Sequence, residues 1–122
     1  MRHVAAFLIF ATACATVPRG SLQDPKLARF ASPGPHRVVE YDVDWYDAAR
    51  QRHVPAHIYA PDDAASMPVV IFSHGSDSSR LDYRYLGEHW ASYGYASIHP
   101  QHEQNAPRVD YPADLKFVLD QL

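Results

Sequence analysis

The chain has 122 residues, room for one domain at most. Its 47% apolar and 20% charged residues suit a folded globular protein and exclude a disordered one. A net charge of −3 gives no reason to expect nucleic acid as a partner, and a single cysteine excludes an internal disulfide.

Residues 1–20 read as an export signal. Arg2 and His3 form a short basic end, residues 4–13 an apolar core, and small residues surround Cys14. The core is too short to span a membrane, which takes about 20 apolar residues. Ala11-Thr12-Ala13 and Ala13-Cys14-Ala15 both satisfy the small-x-small requirement of a signal peptidase. The placing of Cys14 after Thr12-Ala13 also resembles a bacterial lipoprotein signal, which would make Cys14 the lipidated residue and anchor the protein to a membrane. Ala11 departs from that pattern, which usually has a large aliphatic residue there. The expected location is periplasmic, secreted or membrane-anchored. Residues 21–36 hold Pro25, Pro33, Gly34 and Pro35 without sustained periodicity, and read as a linker to a folded part at 37–122.

Val39, Tyr41, Val43 and Trp45 alternate with Glu40, Asp42 and Asp44, the pattern of a half-buried edge strand. A polar connection, Asp47-Ala48-Ala49-Arg50-Gln51, leads to a second alternating run of Val54, Ala56, Ile58 and Ala60, so the pair predicts an antiparallel hairpin. Asp42 and Asp44 are better read as a solvated strand face than as metal ligands. Val69, Val70, Ile71 and Phe72 then form a continuous apolar run, as in a central parallel strand covered on both faces. It stops at Ser73-His74-Gly75, followed by Ser76, Asp77, Ser78 and Ser79. The carboxyl end of such a strand is where open α/β sheets bind ligands.

Leu81, Tyr85, Leu86, His89, Trp90 and Tyr93 fall at helical spacing and predict a helix over 81–93, stopped by Gly94. Residues 95–100 are the next short strand. His99, His102 and Glu103 have a spacing superficially like that of zinc proteases, but such ligands share a helix face, and Pro100 prevents a helix there. This is a loop at the rim of a cleft, and no metal is expected. Pro112 opens a last amphipathic helix with Ala113, Leu115, Phe117, Val118, Leu119 and Leu122 on its apolar stripe.

Three stretches together carry a family resemblance: PVVIFSHG, YLGEHWASYGYASIHP and PADLKFVLDQL. The chain resembles the α/β-hydrolase superfamily, within it the dienelactone-hydrolase-like and platelet-activating-factor-acetylhydrolase-like esterases. The resemblance implies an α/β fold: the N-terminal portion of the hydrolase sheet, a β-hairpin followed by β-α-β-α, in an incomplete three-layer sandwich. It implies that the strand into His74-Gly75 is the third. The strand carrying the G-x-S-x-G nucleophile elbow would come later; no G-x-S-x-G occurs in these 122 residues, and the family's acid and histidine would follow it. Of the parts that acyl transfer needs, the chain is therefore expected to supply the oxyanion loop alone. By the resemblance, the Ser76 backbone N–H points at the oxyanion, Gly75 lets the backbone turn and approach substrate, and His74 braces the loop. Relatives are often glycine-rich or carry a large apolar residue where this chain has Ser76 to Ser79, and often have an acid where it has Gln101.

The expected function is thus the first part of an exported serine hydrolase acting on small or lipid-like esters, inactive by itself and with no cofactor. The alternative is a non-catalytic exported binding protein that keeps part of the fold.

Overall fold

The computed structural model describes residues 24–102 and 110–122, so the export signal and Cys14 lie outside the described residues, as does Glu103. The chain divides into two compact units, Met1–Ser32 and Pro33–Leu122. In the first, the expected linker contains a short helix α1 (Pro25–Ala28) and a 3₁₀ turn (Arg29–Ala31). Asp24 Oδ1 accepts the Lys26 N–H at 2.9 Å, and Pro25 occupies the first turn, where its missing N–H is no loss.

The second unit begins earlier than residue 37. The Gly34 N–H donates to Ser92 Oγ at 2.8 Å, and the His36 N–H to the Ser92 carbonyl at 3.1 Å. A Cβ on Gly34 would stand 2.1 Å from that carbonyl oxygen, so only glycine allows this approach. Residues 34–36 are thus docked, in place of the expected linker.

The hairpin forms as the alternation predicts. β1 (Val38–Asp47) and β2 (Arg52–Pro61) pair antiparallel from Val38↔Pro61 to Asp47↔Arg52. The Asp47 carboxylate closes the turn by accepting the Ala49 and Arg50 N–H groups at 3.0 and 3.2 Å, and Gln51 takes φ 52°. β3 (Val69–Ile71) leads through α2 (Arg84–Ser92) to β4 (Ala96–Pro100), which lies parallel to β3 and antiparallel to β2. α3 (Asp110–Leu119) follows. The sheet order is β1-β2-β4-β3, a mixed and open sheet.

One sheet face carries Val54, Ala56, Ile58 and Ile98, which with Val118 of α3 form the buried core; Val43, Trp45, Ile71 and Phe117 pack around it. Burying each of the core valines and isoleucines contributes about 1.5–3 kcal/mol. His57, Tyr59, Ser97 and His99 point to the opposite face by strand alternation, and α2 packs there with Gly87 against the Tyr59 ring. A helix therefore covers each face of the sheet, giving three layers.

Three local features differ from the sequence pattern. β3 has three residues, not four, and pairs only with β4 among the described residues, leaving Val69 42% exposed. The strands buried on both faces are β2 and β4, the inner strands, because α2 packs on one of their faces and Val118 of α3 on the other. α2 starts at Arg84 instead of Leu81, since Asp82 Oδ2 accepts the Ser79 N–H at 2.6 Å and the Ser78 hydroxyl at 3.0 Å, fixing a non-helical turn before it. α3 starts two residues before Pro112, so that proline falls in the first turn.

The end of α2 matches expectation. Gly94 has φ 95°, its N–H donates to the Ala91 carbonyl at 3.0 Å, and the Tyr95 N–H donates to the Trp90 carbonyl at 3.2 Å. This is the paired-bond helix stop that favours glycine. Among the described residues, no helix is long and apolar enough to cross a membrane.

Candidate functional site

The loop after β3 sits at the carboxyl ends of the parallel strands, because the Phe72 N–H still donates to the Ile98 carbonyl at 2.8 Å and carries the ladder one residue past Ile71. Phe72 packs between Tyr83, Trp90 and His99, with ring centroids 4.9, 5.9 and 5.1 Å away. The chain then leaves the sheet. Ser73, Gly75, Ser76 and Asp77 are exposed, whereas His74 turns inward and is buried.

His74 ties the loop to itself and to the loop after β4. Its Nδ1–H donates to the Gly75 carbonyl at 2.8 Å, and its Nε2 accepts the His102 backbone N–H at 3.4 Å. Among the described residues, nothing accepts a hydrogen bond from the Ser76 N–H. Gly75 is not in the left-handed region, and a Cβ built on it would meet nothing within 4 Å. Its backbone conformation therefore does not by itself require glycine. What a side chain at 75 would take up is open space in front of the loop.

Beneath this loop lies a polar chain that spacing alone does not reveal. The Ser73 hydroxyl is 2.8 Å from His102 Nε2, and His102 Nδ1 is 3.0 Å from Asp114 Oδ2. The side chains of His102 and Asp114 are fully buried. A carboxylate has no hydrogen to give, so Nδ1–H donates to Asp114, Nε2 is the bare nitrogen, and the Ser73 hydroxyl donates to it. Tyr111 stacks on the His102 ring at 4.0 Å between centroids and 12° between planes. Burial pushes the His102 imidazole below its usual pKa, an effect opposed by the hydrogen bond and charge of Asp114.

Asp114 is in turn held from the hairpin. Arg50 Nη1 donates to its Oδ1 at 2.8 Å, and Arg52 Nη2 is 3.6 Å from its Oδ2. Arg50 also reaches Asp47, with Nε 2.5 Å from Oδ2, and holds that carboxyl below the usual carboxylate range. A buried carboxylate with a charged hydrogen-bond partner avoids the penalty of an unpaired buried charge.

The other candidates are separate from this chain. His99 points to the α2 face and shares a 2.8 Å hydrogen bond with Ser97 Oγ, so it and His102 do not converge. Burial, together with the charges of His57 and His74, pushes its pKa down to about 4. Asp42 contacts His57 and Arg80, each at 3.1 Å, and Asp44 contacts His53 at 3.0 Å. Among the described residues, no group of three or more His, Cys, Asp or Glu side chains could hold a metal ion. Gln101 Oε1 accepts the Arg80 N–H at 3.0 Å and stitches the two loops together.

An open sheet in the order β1-β2-β4-β3, with a helix on each face and a His-Gly loop at the carboxyl end of β3, defines part of an α/β-hydrolase fold. Within that class the chain belongs to the chlorophyllase family, whose family model matches residues 27–118. Among solved structures, the S-formylglutathione hydrolase FrmB from Staphylococcus aureus, in its apoenzyme form, is similar with a TM-score of 0.56 at 14% identity. The match covers 74% of this chain and 44% of that one, so the present chain spans less than half of that hydrolase. No curated protein matches the sequence.

Sequence reasoning placed Ser73 only as part of the His-Gly motif and weighed His102 only as a metal ligand. Asp114 is not among the candidates that spacing singles out. The one available signal was an acid at a helix position flanked by Ala113 and Leu115, with Val118 one turn on.

Proposed function

We propose that this chain is the N-terminal part of an exported serine hydrolase of small or lipid-like esters, to which it contributes the oxyanion loop. The observation that carries this reading is the loop at 73–76. It closes β3 inside a family-matched stretch, and among the described residues it leaves the Ser76 N–H without a partner, beside the open space in front of Gly75. An unpaired, fixed N–H at a strand end is the kind of donor that stabilises the negative oxygen of a tetrahedral intermediate, and it needs no rearrangement when the charge develops.

In this reading the nucleophile stands on a G-x-S-x-G elbow in the strand that would follow, and its own N–H supplies the second donor. The hairpin and α3 hold the loop in place through Arg50, Asp114 and His102. The leader at residues 1–20 supports export, with Cys14 as the candidate lipid anchor.

The test is enzymatic. The coding frame containing this chain, read past Leu122, is expected to encode a G-x-S-x-G within a few tens of residues. The whole product is expected to hydrolyse p-nitrophenyl esters, with loss of activity when that serine becomes alanine. A whole product without such a serine and without esterase activity overturns the proposal.

A further inference from the structure

Ser73 sits in the arrangement of an activated nucleophile, apart from any elbow serine. A nucleophilic hydroxyl needs a base within hydrogen-bond reach, and that base needs a third group to fix its tautomer. Here the hydroxyl-to-base distance is 2.8 Å and the base-to-carboxylate distance is 3.0 Å. We propose that Ser73, His102 and Asp114 form an acyl- and phosphonyl-accepting site in this chain, reactive toward activated carboxylic esters and fluorophosphonates.

The polarity and the burial both favour this. Asp114 fixes Nδ1–H, so the lone pair of Nε2 faces the Ser73 hydroxyl. His102 is held on three sides: by Asp114, by the stacked Tyr111 ring, and through its backbone N–H by His74. The base and carboxylate side chains are fully buried, while Ser73 is an exposed residue. Water therefore does not compete for Nε2, and a reagent can still reach the oxygen. Burial also keeps the imidazole neutral near pH 7, the form that accepts a proton. A hydroxyl that only filled a hydrogen-bonding vacancy on His102 would give the same distances, so the test has to read reactivity.

The step balances as follows. Ser73 Oγ attacks phosphorus, the O–P bond forms, the P–F bond breaks, fluoride leaves, and the hydroxyl proton passes to His102 Nε2, whose positive charge Asp114 balances. With an aryl ester, Oγ bonds the acyl carbon, the aryl oxide departs, and the proton again goes to Nε2. Aryl oxide and fluoride leave without being protonated, which suits a base whose basicity burial has lowered.

The full 122-residue chain is treated with a fluorophosphonate, and adducts are located by intact mass and peptide mapping. The same chain unfolded in urea gives the background rate. We expect one adduct, at Ser73, formed about 10²-fold faster than in the unfolded chain, the usual scale of general-base assistance. It is absent in Ser73→Ala, retained in Ser66→Ala at an exposed position outside the loop, and formed at a rate that rises with pH and then levels off. Because His102→Gln removes a buried group and can unfold the chain, a second comparison leaves His102 in place. Ser73→Cys is expected to alkylate with iodoacetamide at pH 7 at least 10-fold faster than Ser76→Cys in the same loop. A native chain that reacts at Ser73 no faster than the unfolded chain overturns the proposal, as do equal rates for the two cysteine variants. Neither outcome bears on the oxyanion role of the Ser76 N–H, which is read from ester turnover of the whole hydrolase.

Discussion

Gly87 stands directly on the ring of Tyr59: a Cβ at position 87 would lie 2.2 Å from Tyr59 Cδ2. Tyr59 is fully buried and wedged between His57 and His99, with ring centroids 4.7 and 5.1 Å away. The ring has nowhere to swing. Alanine at 87 would gain about 0.5–1 kcal/mol of helix propensity but lose about 1–3 kcal/mol to overpacking. Gly87→Ala is therefore expected to lower the thermal midpoint, by a few degrees in calorimetry. An unchanged or raised midpoint would show that α2 rides further from β2 than this contact implies.

The proposed oxyanion role of Ser76 is a matter of backbone, not of side chain. Ser76→Ala keeps the N–H and is expected to leave ester turnover of the whole hydrolase nearly unchanged. Ser76→Pro deletes it and should lower turnover by about 10²–10³. Affinity should move less, since the bond matters most once charge has formed on the oxygen. Proline also restricts its own φ and the conformation of Gly75, so equal melting curves are a condition of the comparison. Equal damage from both variants would make the hydroxyl the working group.

Acid sensitivity is expected well above the carboxylate range. His99 titrates near its usual 6.5 when unfolded and at about 4 when folded, so between those values the unfolded chain binds the extra proton. Stability is then fully present above about pH 6.5 and is lost as pH falls toward 4. The gap corresponds to about 3 kcal/mol. His102 acts with the same sign. His99→Gln, which still reaches Ser97 and does not titrate, should flatten the slope of denaturant stability between pH 6.5 and 4. A slope identical to that of the parent chain would assign the acid sensitivity to other groups.

Export has its own test. Expressed with its native start, the protein is expected to lose residues 1–13 or a slightly longer leader and to leave the cytoplasm. Cys14→Ser should release any membrane-bound pool into the soluble fraction. Full-length protein remaining in the cytoplasm would contradict the leader assignment.

The elements that sequence displays well here are those whose signals are local. Alternation from Val39 to Trp45 and from Val54 to Ala60 identifies the hairpin, and Gly94 marks the end of α2, because side-chain period and a left-handed stop depend on neighbours in the chain. The burial of β3 was not legible, since Val69 is buried or exposed according to which strands lie beside it. The short helix at 25–31 was signalled by Asp24 before Pro25 and was hidden behind the proline count. The polar chain under the loop was invisible for a different reason. Ser73 and His102 are 29 residues apart, and His102 and Asp114 are 12 apart, with no motif of fixed spacing to join them.

The hydrogen bond from Arg50 to Asp114 spans 64 residues. The hairpin needs only its own turn and pairs on the microsecond scale, whereas closing so long a loop must await the rest of the sheet. His102 has its carboxylate partner only when α3 is docked, so the support of the loop at 73–76 depends on residues far from it in the chain. Partly folded chains would carry the same serines and histidines with none of their preorganisation. The proposed reactivity at that loop would in this sense report that Arg50 and Asp114 have met.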